Sequence, residues 1–220
     1  MGLILNGNAP NKMLYNGAEV SLYFNGSKIW PETIDPYNPL NLPANTVRVR
    51  TSDGNPPIKG SSTTYNTATL VTGTTDVYDV YKSGTNFNMF LYLSTNVIEV
   101  LGANTTGITR MESMFYNCTS LTTVTLFDTS SVTTMKEMFS NCTSLTSVPL
   151  FNTSNVQTMY YTFFGCINVQ SGALSLYQQA STQTTPPTIY RWAFRNCGSN
   201  TITGAAELAQ IPSDWGGTMS

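Results

Sequence analysis

The chain has 220 residues, a formal net charge of −2, only 10% charged residues and no histidine. That length suits one sizeable domain or two small ones, and so little basic charge argues against a nucleic-acid footprint. The missing histidine excludes the commonest metal ligand and any Ser-His-Asp or Cys-His arrangement within this chain.

Residues 1–30 carry Asn-Gly at Asn6-Gly7, Asn16-Gly17 and Asn25-Gly26, separated by the apolar runs KMLY, AEVSLYF and SKIW. Asn-Gly accepts the positive φ that a two-residue hairpin turn needs, so a small β-meander ending at Trp30 is predicted. Tyr15, Tyr23, Phe24 and Trp30 are assigned to its core rather than to sugar stacking. The N-terminus shows no basic region followed by an apolar core, so no secretory signal is expected. No run reaches the ~18 apolar residues of a membrane helix, and membrane insertion is not expected. Residues 31–45 hold four prolines, which fix φ and remove donors, and they are taken as a linker.

Residues 46–83 are expected to supply cap strands. TVRVR alternates Val47 and Val49 with Arg48 and Arg50, and DVYDVYKSG also alternates. Asp76, Asp79 and Glu99 are the carboxylates that invite comparison with a glycosidase pair. Nothing in their spacing sets two of them across a cleft, so they are taken as strand-face charges.

From residue 84 the chain repeats itself. Cys118, Cys142 and Cys166 are 24 residues apart, as are Met111, Met135 and Met159, and Phe115, Phe139 and Phe163. Such a period predicts a solenoid, because one unit cannot bury its apolar face alone. Phe87, Leu91, Val97 and Val100 extend the pattern backwards as a degenerate first repeat. Phe194 and Cys197 continue it forwards after 31 residues, with a helix in the enlarged repeat starting after Ser171 as N-cap. GAAELAQIPSDW then supplies a short helix stopped by Pro212, with Trp215 packing in a C-terminal cap over 201–220. Within a repeat, Met111, Met114, Phe115 and Cys118 follow i, i+3, i+4, i+7, which predicts about two helical turns. A short strand follows, with Val124 and Leu126 inward and Thr123 and Thr125 outward. The fold class expected is therefore an α/β repeat: a solenoid over 84–200 with the N-terminal β-meander and mixed caps.

The repeat SVTTMKEMFSNCTSLTSVPLFNTS resembles BspA-type leucine-rich repeats of bacterial surface proteins, and AFRNCGS near Cys197 is similar to the core of that repeat class. The resemblance implies a short leucine-rich-repeat solenoid and a surface or adhesion role, with matrix or host molecules as ligands. The same repeats occur in proteins encoded by gut phages, and MLYNGAEVSLYFNGSKIW resembles a small module at the start of such proteins. The family pattern carries no catalytic residues.

Four cysteines without a C-x-x-C pair or histidine lack zinc spacing, and they are taken as a buried ladder of free thiols. No metal or other cofactor is expected. The methionines, at helical spacing with Phe, are assigned to the core. Asn117 and Asn141 match a glycosylation sequon, yet the repeat makes a turn role the simpler reading. The candidate ligand-binding face is the outward strand column Thr123, Thr125, Phe127, Ser147 and Phe151. The function expected is non-enzymatic binding or adhesion at a cell surface or outside the cell, towards a protein or glycan. The alternative is a phage or prophage virion component, docked to a partner through residues 1–30.

Overall fold

The computed structural model describes residues 40–60 and 65–219, together with four two-residue strands between Leu14 and Lys28. The chain divides into two compact units, Met1–Asp35 and Pro36–Ser220.

In the first unit β1 (Leu14–Tyr15) pairs antiparallel with β2 (Ala18–Glu19), and β3 (Tyr23–Phe24) pairs with β4 (Ser27–Lys28). The pairs Tyr15↔Ala18 and Phe24↔Ser27 leave one Asn-Gly dipeptide between the strands of each hairpin. The turn expected at Asn6-Gly7, the proline-rich stretch up to residue 39 and the packing of Tyr15, Tyr23, Phe24 and Trp30 lie outside the described residues.

The second unit begins with a mixed sheet. Its strands are β5 (Thr46–Thr51), β6 (Thr67–Leu70), β7 (Val77–Tyr81), β8 (Val97–Asn104) and β9 (Thr123–Val124), in the order β6-β7-β5-β8-β9. All neighbours are antiparallel except β8 and β9. Alternation in β5 sends Val47 and Val49 into the core and Arg48 and Arg50 to the other face. Arg48 faces Asp79 and Arg50 faces Glu99 in the register, so opposite charges sit directly opposite. Arg48 donates to both Asp79 oxygens at 2.6 and 2.7 Å, and Arg50 reaches Asp76 at 2.9 Å and Glu99 at 3.1 Å. The hydrogen bond to Asp79 raises the pKa of the Arg48 guanidinium. The three carboxylates are thus ion-pair partners of β5.

The expected α/β leucine-rich-repeat solenoid is not what forms. The regular structure of the second unit's described residues is this five-stranded sheet with two short helices, and the segments expected to be helical in each repeat are chains of turns. Residues 111–118 show why. Ser113 has φ 52° and Asn117 φ 57°, and Glu137 (55°) and Asn141 (60°) repeat this one period later. Left-handed residues four apart cannot belong to an α-helix. The amides of Met111, Ser113, Phe115 and Asn117 instead cross to the next coil, donating to the carbonyls of Thr134, Lys136, Met138 and Ser140 at 2.8–3.0 Å. Met135, Glu137, Phe139 and Asn141 do the same towards Thr158, Tyr160, Thr162 and Phe164 at 2.7–2.9 Å. Intervening amides close local turns, such as Met114 to Met111 and Cys118 to Phe115. Among the described residues a parallel sheet of repeat strands is also absent. Beyond β8–β9 the described coils share isolated parallel bridges, among them Arg110↔Thr134 and Thr134↔Thr158.

Coils in register stack like residues. Phe115, Phe139 and Phe163 form an aromatic column with ring centroids 5.0 and 5.2 Å apart, continued by Phe194 at 5.9 Å and Trp215 at 6.4 Å. Met111, Met135 and Met159 are fully buried beside it, as are all four cysteines, which are free thiols. The Cys118, Cys142 and Cys166 thiols donate to the carbonyls of Leu91, Phe115 and Phe139 at 3.0–3.1 Å, one coil back. One continuous core joins these columns to Val47, Val49 and Val80 of the sheet.

The enlarged repeat holds α1 (Ala173–Thr182), followed by α2 (Ile202–Leu208). Ser171 is not the N-cap of α1. It forms a bridge with Ser147, and Gly172 occupies the cap position with φ 96°. The Glu207 carboxylate of α2 accepts from the amides of Gly172 (3.2 Å) and Leu174 (3.1 Å), supplying the missing cap from a distant part of the chain. Thr201 caps α2 through its own hydroxyl, which accepts from Gly204 at 3.0 Å.

Candidate recognition surface

Two faces of the stacked coils present side chains outward: the face around β9, and the face made by the turns. On the first, Thr123, Thr125 and Ser147 are exposed. Phe127 and Phe151 are not available to a ligand, since both have 0% exposure and their rings lie 4.9 Å apart. The reason is that β9 ends at Val124, so the strand alternation does not carry through to residue 127. Leu126 (39%) and Leu150 (51%) are exposed in their place, and Val124 is half-buried. Thr122 and Thr146 spend their hydroxyls on the carbonyl one coil back, Ile98 (2.8 Å) and Thr122 (3.1 Å).

The turn face is built differently. Each four-residue turn generally buries its first and fourth side chains and directs the two between them towards this face. Equivalent positions form columns: Glu112, Lys136, Tyr160, Arg191; then Ser113, Glu137, Tyr161, Trp192; then Tyr116, Ser140, Phe164, Arg195, of which Ser140 alone is buried. Apart from Tyr116, which stacks on Tyr92 at 5.1 Å, the first coils carry polar or charged groups there, and the last two carry aromatics and arginines. Tyr161 packs edge-on against Tyr160 (4.1 Å) and Phe164 (4.8 Å) and lies 5.5 Å from Trp192. The guanidiniums of Arg191 and Arg195 lie over the Trp192 ring at 4.3 and 4.8 Å.

A trough follows this face. One hollow of about 490 Å³ is bordered by Arg110, Glu112, Lys136, Thr158, Tyr160 and Ile189. A second of about 710 Å³ is bordered by Ile189, Tyr190, Arg191, Trp192 and Asp214. Ile189, 52% exposed, belongs to both.

The charges along the trough are unequal. At its first end Arg110 is paired with Glu112, and Lys136 with Glu137 at 3.6 Å. Among the described residues no carboxylate pairs with Arg191 or Arg195. Asp214 is engaged by the Tyr190 hydroxyl at 3.2 Å, and its charge raises the Tyr190 pKa. Tyr161 is raised by its hydrogen bond with Tyr160, while both arginines act in the opposite sense.

The buried thiols are poor candidates for nucleophilic chemistry. Burial pushes Cys118 and Cys166 up to about 12 and raises Cys142 and Cys197 well above the usual thiol range. Among the described residues no three His, Cys, Asp or Glu side chains are grouped to hold a metal ion. What the turn face offers chemically is ring surface, hydroxyls and two uncompensated guanidiniums.

Sequence reasoning passed over this surface. Its trace is present nonetheless, in the two columns that switch from Glu, Ser and Lys to Tyr, Trp and Arg while the buried Phe and Cys stay constant.

Residues 85–185 match the sequence profile of a family described as "Mycoplasma protein of unknown function, DUF285". The match spans the three most regular repeats and ends before Trp192. No curated protein and no solved structure matches the chain. Among the described residues no helix is long and apolar enough to cross a membrane.

Proposed function

We propose that the chain is a non-catalytic recognition protein, related to the BspA-like repeat proteins and displayed at a bacterial surface, that takes its ligand on the turn face of its last coils. One observation carries this reading. Residues that the coils do not need for packing become aromatic and cationic together, at Tyr160, Tyr161, Phe164, Arg191, Trp192 and Arg195. Half-exposed aromatics with arginine are the residues that dominate binding energy at recognition surfaces. The family match supports a bacterial setting. The absence of histidine and the raised thiols support a binding role over a catalytic one.

The test is binding of the labelled full chain to whole bacteria, compared with the variants Trp192→Ala, Tyr161→Ala and Thr125→Lys. Melting curves confirm that each variant is folded. Loss of binding in the first two with Thr125→Lys unaffected is the expected result. Loss only in Thr125→Lys moves the site to the β9 face, and hydrolysis of any surface glycan by the chain overturns the non-catalytic reading.

A further inference from the structure

The turn-face reading can be taken one step further, to the chemistry of the ligand, and the inference rests on that reading. Arg48, Arg50, Arg110 and Lys136 each have a carboxylate partner, and Lys59 and Lys82 donate to the backbone carbonyls of Tyr65 and Asn88. Arg191 and Arg195 stand apart. Both are exposed, and both rest on one indole ring. A guanidinium stacked on an aromatic face uses none of its edge N–H donors, so the fork that grips a planar anion stays open. Stacking also restricts the side chain before the ligand arrives, which lowers the entropy cost of binding.

The surroundings narrow the anion further. The trough that leads to the arginines is edged by the hydroxyls of Thr134, Thr158, Thr188 and Ser213 and by the rings of Tyr160 and Tyr190. Hydroxyls exchange hydrogen bonds with sugar hydroxyls, and aromatic faces stack on the C–H faces of sugar rings. Ile189 is the one exposed large apolar side chain bordering either hollow, so the lining is otherwise polar groups and aromatic rings.

We propose that the turn face along the trough binds an anionic glycan, with Arg191 at the trough and Arg195 beside it on the same indole holding a carboxylate or sulfate of the sugar chain, and Tyr160 with the adjoining Tyr161 offering ring surface to its neighbours. Asp214 borders the same hollow as Arg191 and opposes an anion, yet its carboxylate accepts from Tyr190, and Arg195, stacked on the same indole as Arg191, adds a second guanidinium nearby.

The experiment is calorimetric titration of the intact chain with four probes: a hyaluronan oligosaccharide (carboxylate), a chondroitin sulfate oligosaccharide (carboxylate and sulfate), a neutral chitin oligosaccharide, and a polyglutamate peptide. At least one anionic glycan is expected to bind, weakening with added salt, and the two anionic arms distinguish carboxylate from sulfate. The double variant Arg191→Gln with Arg195→Gln is expected to bind about tenfold more weakly or worse. Arg195→Lys keeps the charge without the planar fork and is expected to fall between. Equal binding of the neutral glycan, equal or tighter binding of polyglutamate, no binding of either anionic glycan, or an unaffected double variant overturns the inference. If whole-cell binding still depends on Trp192 and Tyr161 in that case, the proposed function survives and only the ligand class falls. If it does not, the turn face itself is the wrong site.

Discussion

The sheet of β5–β8 and the coils that follow it satisfy the same backbone by opposite routes. In the sheet, hydrogen bonds join strands that alternate apolar and charged residues, and Arg48 and Arg50 lock the register from the polar face. In the coils, every second amide leaves its own turn for the next coil, and the price is a left-handed residue at every fourth position of the turn segment. The sheet therefore asks only for alternation, which many sequences meet. The coils ask for a fixed period, for Asn or Gly at the second left-handed position of most coils, and for identical rings in one column. That difference explains why residues 105–170 repeat almost as text while residues 46–104 do not.

The largest contrast is expected in the cores. Phe139 is stacked between Phe115 and Phe163, so Phe139→Ala leaves a gap in a column that cannot close without shifting two coils. The expected loss is about 3–5 kcal/mol in urea denaturation. Val49→Ala, equally buried but in the sheet, should cost less, about 1.5–3 kcal/mol. Equal losses would remove the distinction between the two cores.

Alkaline pH should act on the coils alone through their thiols. Burial raises the folded-state pKa, so the native protein holds the thiol proton where the unfolded chain, with thiols near 8.5, has released it. The stability contribution is fully present below about pH 8.5 and falls as pH rises, for Cys118 and Cys166 until about 12. Each buried thiol should add about 1.4 kcal/mol per pH unit to that slope. Cys142→Ala should make the slope shallower between pH 9 and 10.5, whatever its effect at pH 7. An unchanged slope would show that Cys142 does not stay protonated in the fold.

Asn141 tests the turn geometry. Its φ of 60° suits Asn far better than Ala, so Asn141→Ala should cost about 1 kcal/mol in the same denaturation assay. Glycine at the same place should be tolerated nearly as well as Asn. The smallest effect belongs to the polar face of the sheet. Arg50 is more than a third exposed, and Arg50→Ala should have the smallest effect on the denaturation midpoint, shrinking further with added salt.

How far the sequence could be followed depended on the range of the interactions. The buried columns at Met111, Phe115, Cys118 and Leu121 and their equivalents were plain from the period, and so was the alternation of Val47 and Val49. The helix expected over 111–118 was an alias. Two consecutive four-residue turns bury i, i+3, i+4 and i+7 just as a helix does, and only the recurring Asn117, Asn141, Gly165 and Asn196 mark the difference. Phe127 and Phe151 were misplaced because the strand period was continued past a strand two residues long. Glu207 as the cap of α1 left no local trace, since the partner lies more than thirty residues away. Arg191 and Trp192 escaped notice because attention to what repeats hides what departs from the repeat.

The central claim is that amides of the turn segments bond between coils and not along a helix. Hydrogen-bond scalar couplings measured by NMR on the labelled chain read this directly. A coupling from the Phe139 amide nitrogen to the Thr162 carbonyl carbon is predicted, matching the 2.8 Å bond, with its equivalent from Phe115 to Met138. A coupling from the Phe139 nitrogen to the Met135 carbonyl, four residues back, would contradict the account.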